Sequence, residues 1–353
     1  MNNKRWLIVV FSVITIVLVT GSLVMVLPPK DYSYTKLVDG IEITSYKGDG
    51  GEVTIPSKIK GKPVTSIGRQ AFRDCQHLRS VTIPQGVKSI NDQAFYNCDR
   101  LESVMIPNSV VRIGNEAFSS CEGLPSIIIP NSVEEMGENP FFGSKGLQLI
   151  TVEKGNNKFK SIEGVLYSVD MSTLFAYPIG KQDANFIIPD SVTTINKSAF
   201  SHCETLYSVI IPSNVKSIGL GAFSNCKNLK GIDIPEGVTS IENWTFEGCS
   251  SLASVEIPES VMNIGEAAFA DSGLTSITIP NSVTNIEEKT FIGCEGLEVI
   301  TIPESVRSIG DRALKNCSRL SDVFFTGTRA QWDTISKGIE NDILNYANIH
   351  TRD

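Results

Sequence analysis

"IPSNVKSIGLGAFSNCKNLKGID", residues 211–233, runs directly into "IPEGVTSIENWTFEGCSSLASVE", residues 234–256. The two share one frame: I-P-x-x-V-x-x-I, then a small residue and phenylalanine, then cysteine, leucine and a further apolar position. Ile-Pro recurs at 55–56, 83–84, 106–107, 129–130, 188–189, 211–212, 234–235, 257–258, 279–280 and 302–303. Successive gaps are 28, 23, 23, 59, 23, 23, 23, 22 and 23 residues. Self-similarity at a fixed period of this size is the signature of a repeat array, in which each unit stacks on the next. A single unit cannot bury both of its flanks, so each coil depends on its neighbours for its core.

Within a unit, the run from Leu78 through Val81 to Ile83 reads as a strand. Alternate residues face opposite sides, so Val81 and Ile83 point inward and Thr82 outward. Pro84 ends the pairing because it has no N–H to give. Val87 and Ile90 add one more buried pair as the chain turns back. Ala94 and Phe95 fill the interior. The aromatic slot recurs as Phe72, Phe95, Phe118, Phe141, Phe200, Phe223, Phe246, Phe269 and Phe291, and then as Leu314. These form a stacked spine. The expected fold is an α/β-type repeat solenoid, dominated by one long parallel β-sheet along a single face, with little regular helix.

"IGLGAFSNC", residues 218–226, superficially resembles a phosphate-cradling loop. A dinucleotide fingerprint requires a third glycine where Ser224 stands. The frame explains the stretch instead. Gly219 sits where Gly68, Gly114, Gly137, Gly265 and Gly310 also sit, which suggests a turn favouring positive φ. Gly221 is a variable position.

All eight cysteines occupy one repeat slot: Cys75, Cys98, Cys121, Cys203, Cys226, Cys249, Cys294 and Cys317. They read as a structural column of buried thiols behaving as small hydrophobes. Disulfides between adjacent coils are the lesser reading, because side chains in a parallel stack point the same way. No C-x-x-C spacing supports zinc.

The chain has 353 residues and a formal charge of −8. So acidic a body argues against nucleic acid as a partner. From Trp6 to Leu27 no residue is charged, and Lys4 and Arg5 precede that segment. Its length suits a membrane-spanning anchor helix over residues 6–27, with the body outside the cytoplasm. A cleaved signal peptide, with Val19-x-Gly21 as a weak site, is the alternative. The division is then 1–30 signal-anchor or signal peptide, 31–54 N-terminal cap, 55–150 repeats, 151–187 a stretched unit, 188–323 repeats and 324–353 C-terminal cap. In the stretched unit "GVLYSVDMSTLFAYP" reads as a projecting β-hairpin, or as a divider of the array. In the tail a short helix around Trp332 closes the last coil.

The pattern I-P-x-x-V-x-x-I-G-x-x-A-F-x-x-C-x-x-L resembles the BspA-type leucine-rich repeat. So do "GKPVTSIGRQAF" near the start, "SIEGVLYSVDMSTLFAYP" in the middle and "TGTRAQWDTI" near the end. The resemblance covers about 320 residues. It implies a cell-surface protein whose relatives include adhesins. Pro140-Phe141, Thr245, Thr290 and Leu314 depart from the frame.

No catalytic, cofactor or metal-binding set emerges. His77, His202 and His350 lie in no zinc spacing, and His202 beside Cys203 is not a base–nucleophile pair, because adjacent residues point apart. A working surface would be the outward strand face. There Met105 and Ile128 occupy matching slots of adjacent coils, and Tyr207 and Ile210 lie in one coil; exposed apolar residues of this kind mark contact sites. The expected function is presentation of this face to a protein or glycan at the cell surface, without catalysis. A structural envelope or spacer protein with no specific ligand is the alternative.

Overall fold

A computed structural model describes residues 30–353, preceded by the backbone of two short antiparallel strands, Ile16–Val19 and Ser22–Met25. Otherwise the apolar segment expected to anchor or export the chain lies outside the described residues. Among the described residues no helix is long and apolar enough to cross a membrane.

The body is a β-solenoid with three walls. The first wall carries the expected strands in parallel pairs offset by one repeat, as in Val104 opposite Val81, Ile150 opposite Ile127 and Val209 opposite Phe186. Inward Val81, Ile127, Ile150 and Ile300 are buried. The one long sheet expected here is instead divided. Leu149–Val152 and Asn185–Ile187 do not pair, and around Gly231 and Asp233 the ladder thins to isolated bridges.

A second parallel ladder was not foreseen. The residue pairs Ser66-Ile67, Ser89-Ile90, Arg112-Ile113 and Glu135-Met136 form successive two-residue rungs. Thr194-Ile195, Ser217-Ile218 and later pairs repeat the arrangement. The turn-back residues at Ile90 therefore belong to a sheet of their own.

The third wall holds the aromatic spine and has no strands, yet its amides bond from coil to coil. In one coil, Gln93, Phe95 and Asn97 donate to the carbonyls of Asn115, Ala117 and Ser119 in the next coil, at 2.8, 2.8 and 2.9 Å. The intervening amides of Ala94 and Tyr96 close tight turns onto Asn91 and Gln93. This alternation requires left-handed backbone at two places per coil, Gln93 (φ 56°) and Asn97 (φ 59°) here. Buried amides need a partner, and the bond to the next coil compensates for the disfavoured conformation. The same slots hold Glu116, Ser120, Trp244 and Lys289, all at positive φ. Gly221 belongs to this set (φ 59°) and Gly219 does not, which reverses the expectation. Gly219 is small for another reason: a Cβ there would lie 2.6 Å from the backbone nitrogen of Lys197.

Phe72, Phe95 and Phe118 stack with ring centroids 4.9 and 5.2 Å apart; Phe200, Phe223, Phe246, Phe269 and Phe291 follow at 5.0 to 5.7 Å. The stretched unit interrupts this spine. Its strands Val165–Ser168 and Thr173–Ala176 pair antiparallel. Their Val165, Leu166, Tyr167 and Leu174 are buried, so they build the wall rather than project from it. Thr173-Leu174 then joins the second ladder beside Thr194-Ile195. Tyr177 donates its amide to Ala199 at 2.8 Å and stacks on Phe200, and so takes a phenylalanine's place. The unit thus supplies one irregular coil. The buried core falls into two clusters that meet there, one reaching to Leu166 and the other starting at Val165. Across the junction run the Lys197–Glu138 ion pair at 2.9 Å and an edge-on contact of Phe142 with His202.

At the C-terminus the helix Arg329–Thr334 starts at Thr328, whose side chain and that of Gln331 cap each other's backbone amides. This reciprocal cap satisfies two otherwise unpaired donors. Trp332 is buried against Phe325.

Candidate binding face

The proline of each Ile-Pro stops a first-wall strand, so the residue just before the isoleucine is always the last outward position. Thr82, Met105, Ile128, Ile187 and Ile210 all stand there. Met105 is 65% exposed, Ile128 54%, Ile187 68% and Ile210 56%. Large apolar groups clustered at one recurring outward position are the kind of exposed patch that marks a contact site.

The wall groups these residues into two patches. Met105 and Ile128 lie on adjacent coils, but their strands belong to separate sheets, so no ladder joins them directly. Ile187 and Ile210 face each other in register. Tyr207 is exposed in the same coil as Ile210, and its ring lies 5.5 Å from the Lys230 ammonium. Beside this second patch the thinned ladder leaves an open recess of about 560 Å³, lined by Tyr207, Ile210, Lys230, Gly231, Asp233 and Glu256. Ile187 was missed in the sequence because the stretched unit obscured its register. Its place before Ile188-Pro189 was the available signal.

The cysteines lie within the core. All eight are free; seven are buried and Cys75 is half-buried. Six of them donate S–H to the phenylalanine carbonyl of the preceding coil: Cys98 to Phe72, Cys121 to Phe95, Cys226 to Phe200, Cys249 to Phe223, Cys294 to Phe269 and Cys317 to Phe291. These contacts span 3.0 to 3.2 Å. Ser144 makes the same contact to Phe118 at 2.8 Å. Cys203 follows the irregular coil, and its sulfur lies 4.0 Å from the Ser201 carbonyl instead. The column is therefore a rung of polar bonds as well as filler. Burial pushes Cys121 and Cys249 up to about 12 and Cys294 to about 11, which keeps them as thiols. A nucleophile needs the opposite shift.

His202 Nδ1 lies 2.8 Å from Ser201 Oγ, and burial lowers the imidazole's affinity for a proton. Ser201 is itself buried and no carboxylate hydrogen-bonds the ring, so no hydrolytic triad forms. His350 bonds Asp322 at 2.7 Å and stacks on Phe324. Among the described residues no group of His, Cys, Asp and Glu could hold a metal ion.

Known proteins place the chain in the same class. A model of the BspA type leucine-rich repeat region matches residues 51–163, 179–297 and 218–336, in six copies. A leucine-rich cell surface protein from Faecalibacterium prausnitzii A2-165 is 28% identical, with a TM-score of 0.57 over 87% of this chain and 96% of that one. The pneumococcal vaccine antigen PcpA shares the fold at 20% identity, with a TM-score of 0.65 over 91% of this chain and 96% of the antigen. A leucine-rich repeat protein from Eubacterium ventriosum ATCC 27560 does so at 21% identity, with a TM-score of 0.56 over 80% of this chain and 79% of that one. No curated protein sequence matches. A 23-residue frame, coils that bond to one another on three walls, an aromatic spine on each side of the stretched unit and a family match over most of the length lead to one conclusion: this chain belongs to the BspA-type leucine-rich repeat family.

Proposed function

We propose that the chain is a non-catalytic cell-surface interaction protein that offers the first wall of its array to a protein or glycan. It is held at the membrane through residues 6–27, or released if that segment is cleaved. The cap, repeat, stretched-unit and cap boundaries at 31, 55, 151, 188 and 324 are its functional division. One observation carries this reading: four large apolar side chains, at least half exposed, recur at a single outward position of one wall, and an exposed tyrosine and a recess adjoin them. The F. prausnitzii relative is named as a cell surface protein, which supports the location.

The test replaces Met105 and Ile128 with Asp together, and separately Ile187 and Ile210. Binding to immobilised matrix proteins and glycans is measured beside thermal unfolding. Central apolar contacts of an interface are worth about tenfold to a hundredfold in affinity, whereas exposed positions change stability by about 0.5 kcal/mol or less. The expected result is weakened binding with an unchanged unfolding midpoint. A chain that binds nothing favours the structural spacer instead, and binding unchanged in both variants removes these patches as the contact site.

A further inference from the structure

We propose that the tip of the N-terminal cap is a second, separate surface that docks on anionic lipid headgroups. Two turns meet there. One joins strands Tyr32–Lys36 and Ile41–Tyr46; the other joins Lys58–Ile59 and Lys62–Ile67. Ile41 pairs with Val64, and a Cβ on Gly40 would lie 2.7 Å from the Pro63 carbonyl, so the turns are in contact.

Together they expose Lys36, Lys58, Lys60 and Lys62, with Asp39 the acid at the tip of the first turn. None of the four lysines pairs with a carboxylate among the described residues, although ion pairs are common elsewhere on this acidic chain. Lys60 instead lies 5.8 Å from the Tyr34 ring, which draws the second turn onto the first strand. Between the lysines Val38 is 107% exposed and Leu37 38%. Basic groups around a bare apolar tip match an interface whose surface is anionic and whose next layer is hydrocarbon. A soluble polyanion would use the charge and leave Val38 in water. The position fits as well. The described domain starts at Lys30, three residues after the uncharged segment ends at Leu27. The five-residue strand Tyr32–Lys36 spans only about 17 Å from there to the tip.

The experiment uses the full chain in phosphatidylcholine vesicles, with and without phosphatidylglycerol, and reads amide hydrogen exchange at residues 35–40 and 57–63. Vesicle association alone is not the readout, because the apolar segment can supply it. Each lysine near an anionic surface is worth about five-fold, so exchange at both turns slows by about five-fold or more only when phosphatidylglycerol is present. K36E/K60E and V38D each return the turns to the rate seen in phosphatidylcholine, while exchange at Phe95 and Phe118 stays slow and shows an intact fold. Equal rates in the two lipids overturn the proposal. So does equal protection by soluble polyphosphate in phosphatidylcholine, which marks a free-polyanion site. The Met105→Asp/Ile128→Asp variant keeps the tip protected, so this surface stands or falls apart from the strand face.

Discussion

Phe223→Ala is expected to destabilise the array by about 3–5 kcal/mol, the cost of emptying a fully buried aromatic site. Phe223 is stacked between Phe200 at 5.0 Å and Phe246 at 5.7 Å, and its amide holds the next coil through Thr245. In a stack, a cavity weakens the neighbouring coils as much as its own. The damage should stop at the stretched unit, because the two core clusters meet only there. Hydrogen exchange should therefore accelerate from about Thr194 to Ile264 and remain slow at Phe95 and Phe118. The reciprocal variant Phe95→Ala should protect the second half and loosen the first. Uniform acceleration over both halves would show that the array folds as one unit and would refute this description of the junction.

Alkali is expected to unfold the protein through its thiols. Cys121 and Cys249 have an ordinary value near 9 that burial raises to about 12, and Cys294 moves from near 9 to about 11. The folded state holds these protons more tightly than the unfolded chain. Their contribution is complete below pH 9 and is lost as pH rises from there through the folded values. Each such thiol removes about 1.4 kcal/mol per pH unit in that window, so several titrating together exceed the stability of an ordinary domain. Buried Tyr167 and Tyr177 are shifted in the same direction but begin from 10.0, one unit higher, so onset near pH 9 identifies the thiols. Denaturant midpoints from pH 7 to 11 give the slope. Cys121→Ser/Cys226→Ser/Cys249→Ser should flatten it without preventing folding, since Ser144 already fills this slot and makes the same bond. An identical slope in that variant would assign the alkaline transition elsewhere.

The sequence is most informative where side chains repeat. Val81, Ile83 and Phe95 recur because the interior is the same in every coil, and their period gives the first wall and the spine. Backbone requirements leave weaker marks. The left-handed positions at Gln93, Glu116, Trp244 and Lys289 have no common residue type, because their side chains do not share a core slot and only the dihedral is conserved from coil to coil. The second ladder went unread because rungs such as Ser89-Ile90 are two residues long, too short for an alternation to show. Tyr177 was hidden by spacing: it follows its ladder residue Leu174 by three positions, whereas Phe223 follows Ile218 by five. The apolar strand face was legible at Met105, Ile128, Tyr207 and Ile210. The recess beside Tyr207 was not, because it arises from a loosened ladder around Gly231 rather than from any residue type.

The junction at the stretched unit has a mechanical consequence. Pulled from its two ends, the chain carries load in series from coil to coil, and the interface with the fewest backbone bonds gives way first. Between residues 138–142 and 197–202 the coil-to-coil amide bonds of the third wall lapse, the first ladder is broken between Leu149–Val152 and Asn185–Ile187, and side-chain contacts such as Lys197–Glu138 and Phe142–His202 stand beside the Gly180-to-Leu147 backbone bond. Under tension the rod should yield there like a fuse, parting into two intact blocks before any coil unravels. A force–extension trace would record this as a small first rupture, ahead of the long steps that mark unwinding of whole turns.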